Sequence, residues 1–412
     1  MLWIEKKQPS SISLRSRPSI WKNVNFIILL LSGSIMTFGS KIYELALPLI
    51  LYQFTHSAVT MSTMRGIEFL PNLFLAMFIG VFVDRADKKR WTLWSIFLQI
   101  ILLIILYLSV QYGKPSPILF YICGFLLMTF NYAFINARMS IVKQALPTSM
   151  LTSANASFNF VHTFIGIMGP ALTGLILMLS SLYTGLLITV IAFSISFFIL
   201  LLLKTEAEQS VQKKEGFWRE LKEGWIELYR NKALWLITLA VIFINSTAGM
   251  VDTTVIFFAK DVLDLSNAEL GLVLSSAGLG GLIGSFFIGK VRNYFGTGAI
   301  VTITTLLIGF SYFILFMASS SFILAIGLFF NGLLSTICSV SIWTYRQEST
   351  PHHLIGRISG ITGSVFKLSM PFAIFSAGWI SELINPSHVF MLAFIGNVMI
   401  FVCCRFSRLW GK

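Results

Sequence analysis

The chain has 412 residues, of which 56% are hydrophobic and only 11% charged, and its mean hydropathy is +0.82. Soluble domains carry about a quarter charged residues and less than half apolar ones, which excludes a protein whose main solvent is water. The formal net charge of +13 does not mark a nucleic-acid binder, because the basic residues lie between apolar runs and not on one face of a folded domain.

Residues 1–23 hold Lys6, Lys7, Arg15, Arg17 and Lys22 ahead of an apolar run longer than a signal-peptide core. They read as a cytoplasmic tail followed by a retained span. A spanning helix needs about 20 mostly apolar residues, and twelve such runs follow. The first six lie near Val24–Leu51, Met61–Val83, Trp91–Tyr112, Ile118–Asn136, Ser153–Ser180 and Leu182–Leu203. The second six lie near Ala233–Ala259, Leu270–Gly289, Ala299–Ala318, Phe322–Trp343, Gly360–Ile384 and Val389–Phe406.

The expected fold is therefore an all-α membrane protein of twelve transmembrane helices in two pseudo-symmetric six-helix bundles. Its divisions are a tail (1–23), a first bundle (24–203), a linker (204–232), a second bundle (233–406) and a short tail (407–412). In the linker, Trp218, Leu221, Trp225 and Leu228 recur at helical spacing among charges, as in an amphipathic helix lying on the inner leaflet. Residues 204–214 read as a tether.

Outside the spans the basic residues fall in the tails and inward loops, and the outward loops hold only Lys114 and Lys260. The positive-inside rule then places both termini in the cytoplasm. Pro147–Leu151 before the fifth span and Pro351–Ile355 before the eleventh share one offset with Gly174 and Gly378, a faint mark of duplication. The four cysteines, Cys123, Cys338, Cys403 and Cys404, lack metal or disulfide spacing, so neither a metal nor a cofactor is expected.

Between the second and third spans the chain reads Gly80-Val81-Phe82-Val83-Asp84-Arg85-Ala86-Asp87-Lys88-Lys89-Arg90. This resembles the G-x-x-x-D-R-x-G-R-R/K loop signature of the major facilitator superfamily, with Asp87 where glycine is usual. The second half has only a degenerate copy at Gly289–Gly296. The resemblance implies a transporter in which Gly80, Asp84, Arg85, Lys88, Lys89 and Arg90 form a gating loop, Asp84 latching onto the start of the eleventh helix.

Gly166, Gly169, Pro170 and Gly174 in the fifth span look like the exporter-type glycine–proline motif of that superfamily, though small residues also serve plain helix packing. Glu44–Pro48 with Arg65–Pro71 resembles, more loosely, the bacterial macrolide-efflux and siderophore-exporter branch.

Ionisable residues within spans are costly and mark pathways or pairs. Lys41, Glu44, Arg65, Glu68, Asp252 and Lys367 are the candidates. Glu44 with Arg65, and Lys41 with Glu68, lie equidistant from the turn between the first two spans, so two cross-helix ion pairs are expected. Snorkelling of Lys41 and Glu44 to the interface is the alternative.

Asp252 has no local partner and sits among Asn245, Ser246, Thr247, Gly249, Thr253 and Thr254. Low dielectric disfavours a lone carboxylate's charged form, which suits a proton carrier. Asp252 ranks first in that role, then Glu68 and Glu44, and an outer-surface position is the competing reading of Asp252. Lys41, Arg65 and Lys367, with Asn131 on the fourth span and Asn331 on the tenth, are candidates for substrate or ion-pair contacts. Asn155, Asn159 and His162 lead into Gly166 and Gly169 on one face of the fifth span, and Gly356, Gly360, Gly363 and Lys367 share a face leading into the eleventh.

The expected function is proton-coupled export of a small organic molecule, siderophore or macrolide-type drug, by a monomer in the bacterial inner membrane. Protons, the substrate and the bilayer are its partners, and nucleic acid is not. Uptake or lipid flipping on the same fold is the alternative. A membrane-embedded enzyme is disfavoured because His162, the one histidine well inside a span, has no catalytic companion, and no P-loop is present.

Overall fold

The computed structural model describes residues 20–75, 87–113, 116–179, 182–204, 217–350 and 355–407. The first half contributes α1 (Val24–Thr55), α2 (Ala58–Phe74), α3 (Lys88–Tyr112), α4 (Pro117–Ala145), α5 (Thr148–Leu179) and α6 (Leu182–Leu201). After α7 (Phe217–Arg230), the second half contributes α8 (Lys232–Asp261), α9 (Asn267–Tyr294), α10 (Thr297–Phe316) and α11 (Ser321–Ser349). It continues with α12 (Ile355–Val365), α13 (Met370–Leu383) and α14 (Pro386–Arg405).

Ten of these helices are long and apolar enough to cross a bilayer. The short α2 and the α12–α13 pair take the remaining two places of a twelve-helix, two-half architecture. The starts of α1 and α8, and all of α7, mark one end of the bundle, the linker end. The turns after α1, α8 and α13 mark the far end.

Polar residues at the ends start the helices. The Asn23 side chain accepts from the Phe26 N–H at 3.1 Å to open α1, and Ser57 accepts from Thr60 N–H at 3.2 Å to open α2. Ser266 and Glu269 form a reciprocal capping box at α9. Between α1 and α2, His56 takes the left-handed conformation with φ 48°, closing the chain into a tight far-end turn.

The halves repeat one packing scheme. In the first, α1 packs on α5 and α6, α2 on α4, and α3 on α4 and α6; in the second, α8 packs on α13 and α14, α9 on α11, and α10 on α11 and α14. Buried hydroxyls and amides join these neighbours: Ser196 on α6 donates to the Ser32 carbonyl of α1 at 3.1 Å, and Asn397 on α14 to Thr247 of α8 at 3.0 Å.

The halves meet through α5 with α9 and α2 with α13. A methyl on Gly174 would lie 2.5 Å from the Asn267 carbonyl oxygen and 2.8 Å from the Gly271 Cα, and one on Gly271 would lie 2.5 Å from the Pro170 carbonyl oxygen. Only glycine permits that backbone approach, which gains dispersion in a medium that supplies no hydrophobic drive between helices. On the second seam a methyl on Gly378 would overlap Ser62, and one on Gly66 would lie 2.8 Å from Phe375.

The amphipathic α7 docks on protein: Leu228 is fully buried in a cluster with Leu234, Ile358 and Ile361, and Trp225 meets Trp235 edge-on with ring centroids 6.3 Å apart. Its apolar stripe therefore ties the linker to α8 and α12.

Candidate transport pathway

The eleventh span is not one helix. It breaks over 366–369, because Pro371 has no N–H for the Lys367 carbonyl, which accepts instead from Met370 N–H at 3.2 Å. Helix α8 supports the break from the side: Asn245 donates to the Phe366 carbonyl at 2.8 Å, and the Ser246 and Ser369 hydroxyls lie 2.5 Å apart. Freed backbone groups in a membrane must find such partners. Lys367 sits at the break, half-buried, with no ion pair among the described residues.

The charges of α1 and α2 differ from the sequence expectation in their pairing. Lys41 Nζ is 2.7 Å from Glu44 Oε2, and Arg65 Nη1 is 3.0 Å from Glu68 Oε2. Both pairs run along one helix and not across two. Residues three apart on a helix are natural neighbours, so each cation meets its own helix's acid first. The two pairs differ in environment. The Glu68 side chain is 2% exposed with Oε1 unbonded, whereas Lys41 and Glu44 are 34% and 23% exposed.

Asp252 is exposed, yet Val251, Thr253 and Thr254 beside it on α8 are buried. Its carboxylate makes no hydrogen bond or ion pair with described residues, and Arg65 and Lys41 of the other half bear on it electrostatically. An exposed side chain in mid-helix, facing charges of the opposite half, points into the space between the halves.

On the fifth span the polar face is open as well. Asn155, Asn159, His162 and Gly166 are exposed, and a methyl on Gly169 would lie 3.3 Å from Lys41 Cγ. Of the two asparagines of the fourth and tenth spans, Asn131 Nδ2 contacts Met128 Sδ of its own helix at 4.0 Å, and Asn331 accepts from Ser335 at 3.0 Å and also interacts with Tyr312 of α10.

Of the loop signature, Gly80, Asp84 and Arg85 lie outside the described residues. Asp87, the departure from the pattern, caps α3 by accepting from Arg90 N–H at 3.0 Å, and the Arg90 guanidinium lies 3.7 Å from it. Lys89 donates to the carbonyls of Leu201 and Leu203 at 2.9 and 2.6 Å, closing the end of α6 where a cation suits the helix dipole. Lys88 is likewise engaged.

Among the described residues, hydrogen bonds between the halves gather at the far end. Glu382 at the end of α13 accepts from the Ser57 hydroxyl at 2.5 Å and from Val59 N–H at 3.0 Å, so a second-half carboxylate caps the start of α2. Tyr52 donates to Asp261 at 3.1 Å, and Asn267 to the Leu177 carbonyl at 3.3 Å. With the Gly174–Gly271 contact, they close the far end in this conformation.

Sequence reasoning missed Glu382 and two arginines. Ending the fourth span at Asn136 put Arg138 in a loop, whereas α4 continues to Ala145; ending the tenth at Trp343 did the same to Arg346 on α11. Continued helical periodicity past each arginine is the signal that finds them.

Two halves of six helices meeting about an open, charged interior define a multi-pass membrane transporter. Residues 29–374 match the family described as Major Facilitator Superfamily, and the chain belongs to it. It is 22% identical over 394 residues to macrolide efflux protein A of Streptococcus pyogenes, covering 93% of this chain and 96% of that protein. It is 23% identical over 381 residues to the multidrug efflux pump Tap of Mycolicibacterium fortuitum, covering 88% and 92%. The crystal structure of the nucleoside transporter NupG superposes with a TM-score of 0.77 at 10% identity, covering 93% of this chain and all of that one.

Proposed function

We propose that this protein is a proton-coupled exporter of a small organic molecule, of the macrolide-type drug or siderophore class. It works as a monomer by alternating access in the bacterial inner membrane, with the linker end cytoplasmic. The observation that carries the reading is Asp252, an unpaired carboxylate facing the space between the halves, where a group that exchanges a proton must reach water from alternate sides. The relatives named as macrolide and multidrug efflux proteins support the direction of transport.

In the opposite state the far-end contacts part and the linker end closes. Asp84, Arg85 and their loop are assigned the latch at that end, and the Gly166–Gly174 stretch carries the α5–α9 rocking contact.

The test is export from proteoliposomes of erythromycin and, in parallel, of a ferric catecholate under an imposed proton gradient. Gradient-dependent, protonophore-sensitive flux of either compound is expected. Flux of both that ignores the gradient would sink the proton coupling.

A further inference from the structure

A groove of about 280 Å³ lies between α1 and α5, lined by Ser34, Ile35, Phe38, Phe164, Met168 and Leu172. Its walls are apolar, and Phe164, Met168 and Leu172 remain exposed. Gly169 also lines it, with Lys41 packed on that glycine.

Arg138 sits between the same two helices, toward the linker end. Its guanidinium lies so close to Gly33 of α1 that a methyl there would overlap it, and it stacks over the Phe158 ring of α5 at 5.0 Å. Gly33 adjoins the groove residue Ser34, and Phe158 shares a helix face with Ile165 and Leu172 two and four turns on. The cation therefore lies between the same two helices as the apolar groove, on the linker-end side of it.

This arginine is undersupplied with partners. An arginine carries five N–H donors. Arg138 Nη2 donates to the Leu29 carbonyl at 3.2 Å, Nε is buried without an acceptor, and no described carboxylate pairs with it. His162, one turn beyond Phe158, is exposed and within electrostatic reach of both Arg138 and Lys41. Glu44, the one acid nearby, is already held by Lys41.

The second half also carries an arginine on its equivalent helix, one turn farther along. Arg346 is 3% exposed, donates to Thr362 at 2.8 Å and stacks on Trp343 of its own helix at 4.1 Å. Both arginines leave Nε without an acceptor, but Arg346 is enclosed in the scaffold, whereas Arg138 is only half-buried.

We infer that Arg138, assisted by His162, binds the acidic group of an amphipathic organic anion whose apolar body lies in the α1–α5 groove. The guanidinium fork matches a carboxylate or phosphate bidentately, and Phe38, Phe164 and Met168 take the apolar part. This deepens the export reading by naming the chemical class of the substrate. It rests on that reading only in calling the occupant a substrate.

The test is direct binding to the full-length protein in phosphatidylcholine nanodiscs, read by fluorescence anisotropy. Two probes are used: fluorescein, an apolar ring system bearing a carboxylate, and rhodamine 6G, one of like size bearing a positive charge. Wild-type protein is expected to bind fluorescein more tightly. R138Q is expected to weaken fluorescein at least about tenfold, as loss of a charge-assisted hydrogen bond implies, and to leave rhodamine unchanged. Gly33→Ala, which displaces the guanidinium without removing it, is expected to weaken fluorescein less.

If R138Q does not fold, R138K carries the test, with a loss of about threefold to tenfold expected because a point charge replaces the fork. No fluorescein binding by wild type, unchanged binding in the variants, or equal loss of both dyes would overturn the assignment. So would binding abolished by exchanging the bilayer for phosphatidylglycerol, which identifies a bilayer lipid as the occupant. Because binding is read without a gradient, failure here leaves the proton-driven flux to be judged separately.

Discussion

The two halves share a packing scheme, yet the six membrane charges that the sequence picks out are held in opposite ways. In the first half, Lys41–Glu44 and Arg65–Glu68 neutralise each other along their helices; in the second, Asp252 and Lys367 stand alone among the described residues. A paired charge has its charged form stabilised by its neighbour, while a single charge without a partner is free to change state or to meet a ligand. One packing scheme thus serves both halves, and the difference between them follows where a helix neighbour of opposite sign is present.

The pairing in the first half can be broken where it is most buried. Arg65→Gln leaves Glu68 enclosed without its cation, and stability in detergent is expected to fall by about 3–5 kcal/mol. The double variant Arg65→Gln with Glu68→Gln should recover most of that loss. If the single variant unfolds at the wild-type temperature, the pair is not structural.

In the second half the expected effect is on transport and not on stability. Asp252→Asn should fold normally and lower gradient-driven flux about 100-fold, the low end of what a proton-transferring side chain contributes. Wild-type exchange should rise as the receiving side is acidified, and the variant's should be flat. Retention of the pH dependence would move the proton to Glu68 or Glu44.

A smaller effect is expected where the halves touch at the far end. Glu382→Gln keeps an acceptor for Ser57 and Val59 but removes the anion at the start of α2, an interaction of about 0.3–1 kcal/mol. Cysteines placed near Ser57 should become labelled up to about five times faster as the far end opens. The smallest effect sharpens the comparison within the first half: Lys41→Met breaks a half-exposed pair and should cost no more than about 1 kcal/mol. A cost equal to that of Arg65→Gln would mean that burial does not distinguish the two pairs.

Much of this was legible from residue order, and the failures have local causes. Asp252 stood out because no neighbour along its own helix opposes its charge. The ion pairs on α1 and α2 were misassigned because equal depth across a hairpin says nothing about the competing neighbour three residues away. Arg138 and Arg346 were lost because a hydropathy window ends at the first arginine, whereas a helix continues as long as its backbone bonds do. The break in the eleventh span at Pro371 went unread, and the partners that hold it, Asn245 and Ser246, come from another helix.

Taken alone, the sequence determined that the chain is a membrane protein, marked a faint repetition between its halves and picked out six of the charges that its spans hold. Those properties depend on residues close together in the chain and on transfer energies that need no partner. Only the tertiary structure decided which charges are paired, that Asp252 faces the opposite half, that Gly174 and Gly271 bring two backbones into contact, and that Arg138 ends an apolar groove. Each of those depends on side chains from helices far apart in sequence, whose contact distances no spacing along the chain encodes.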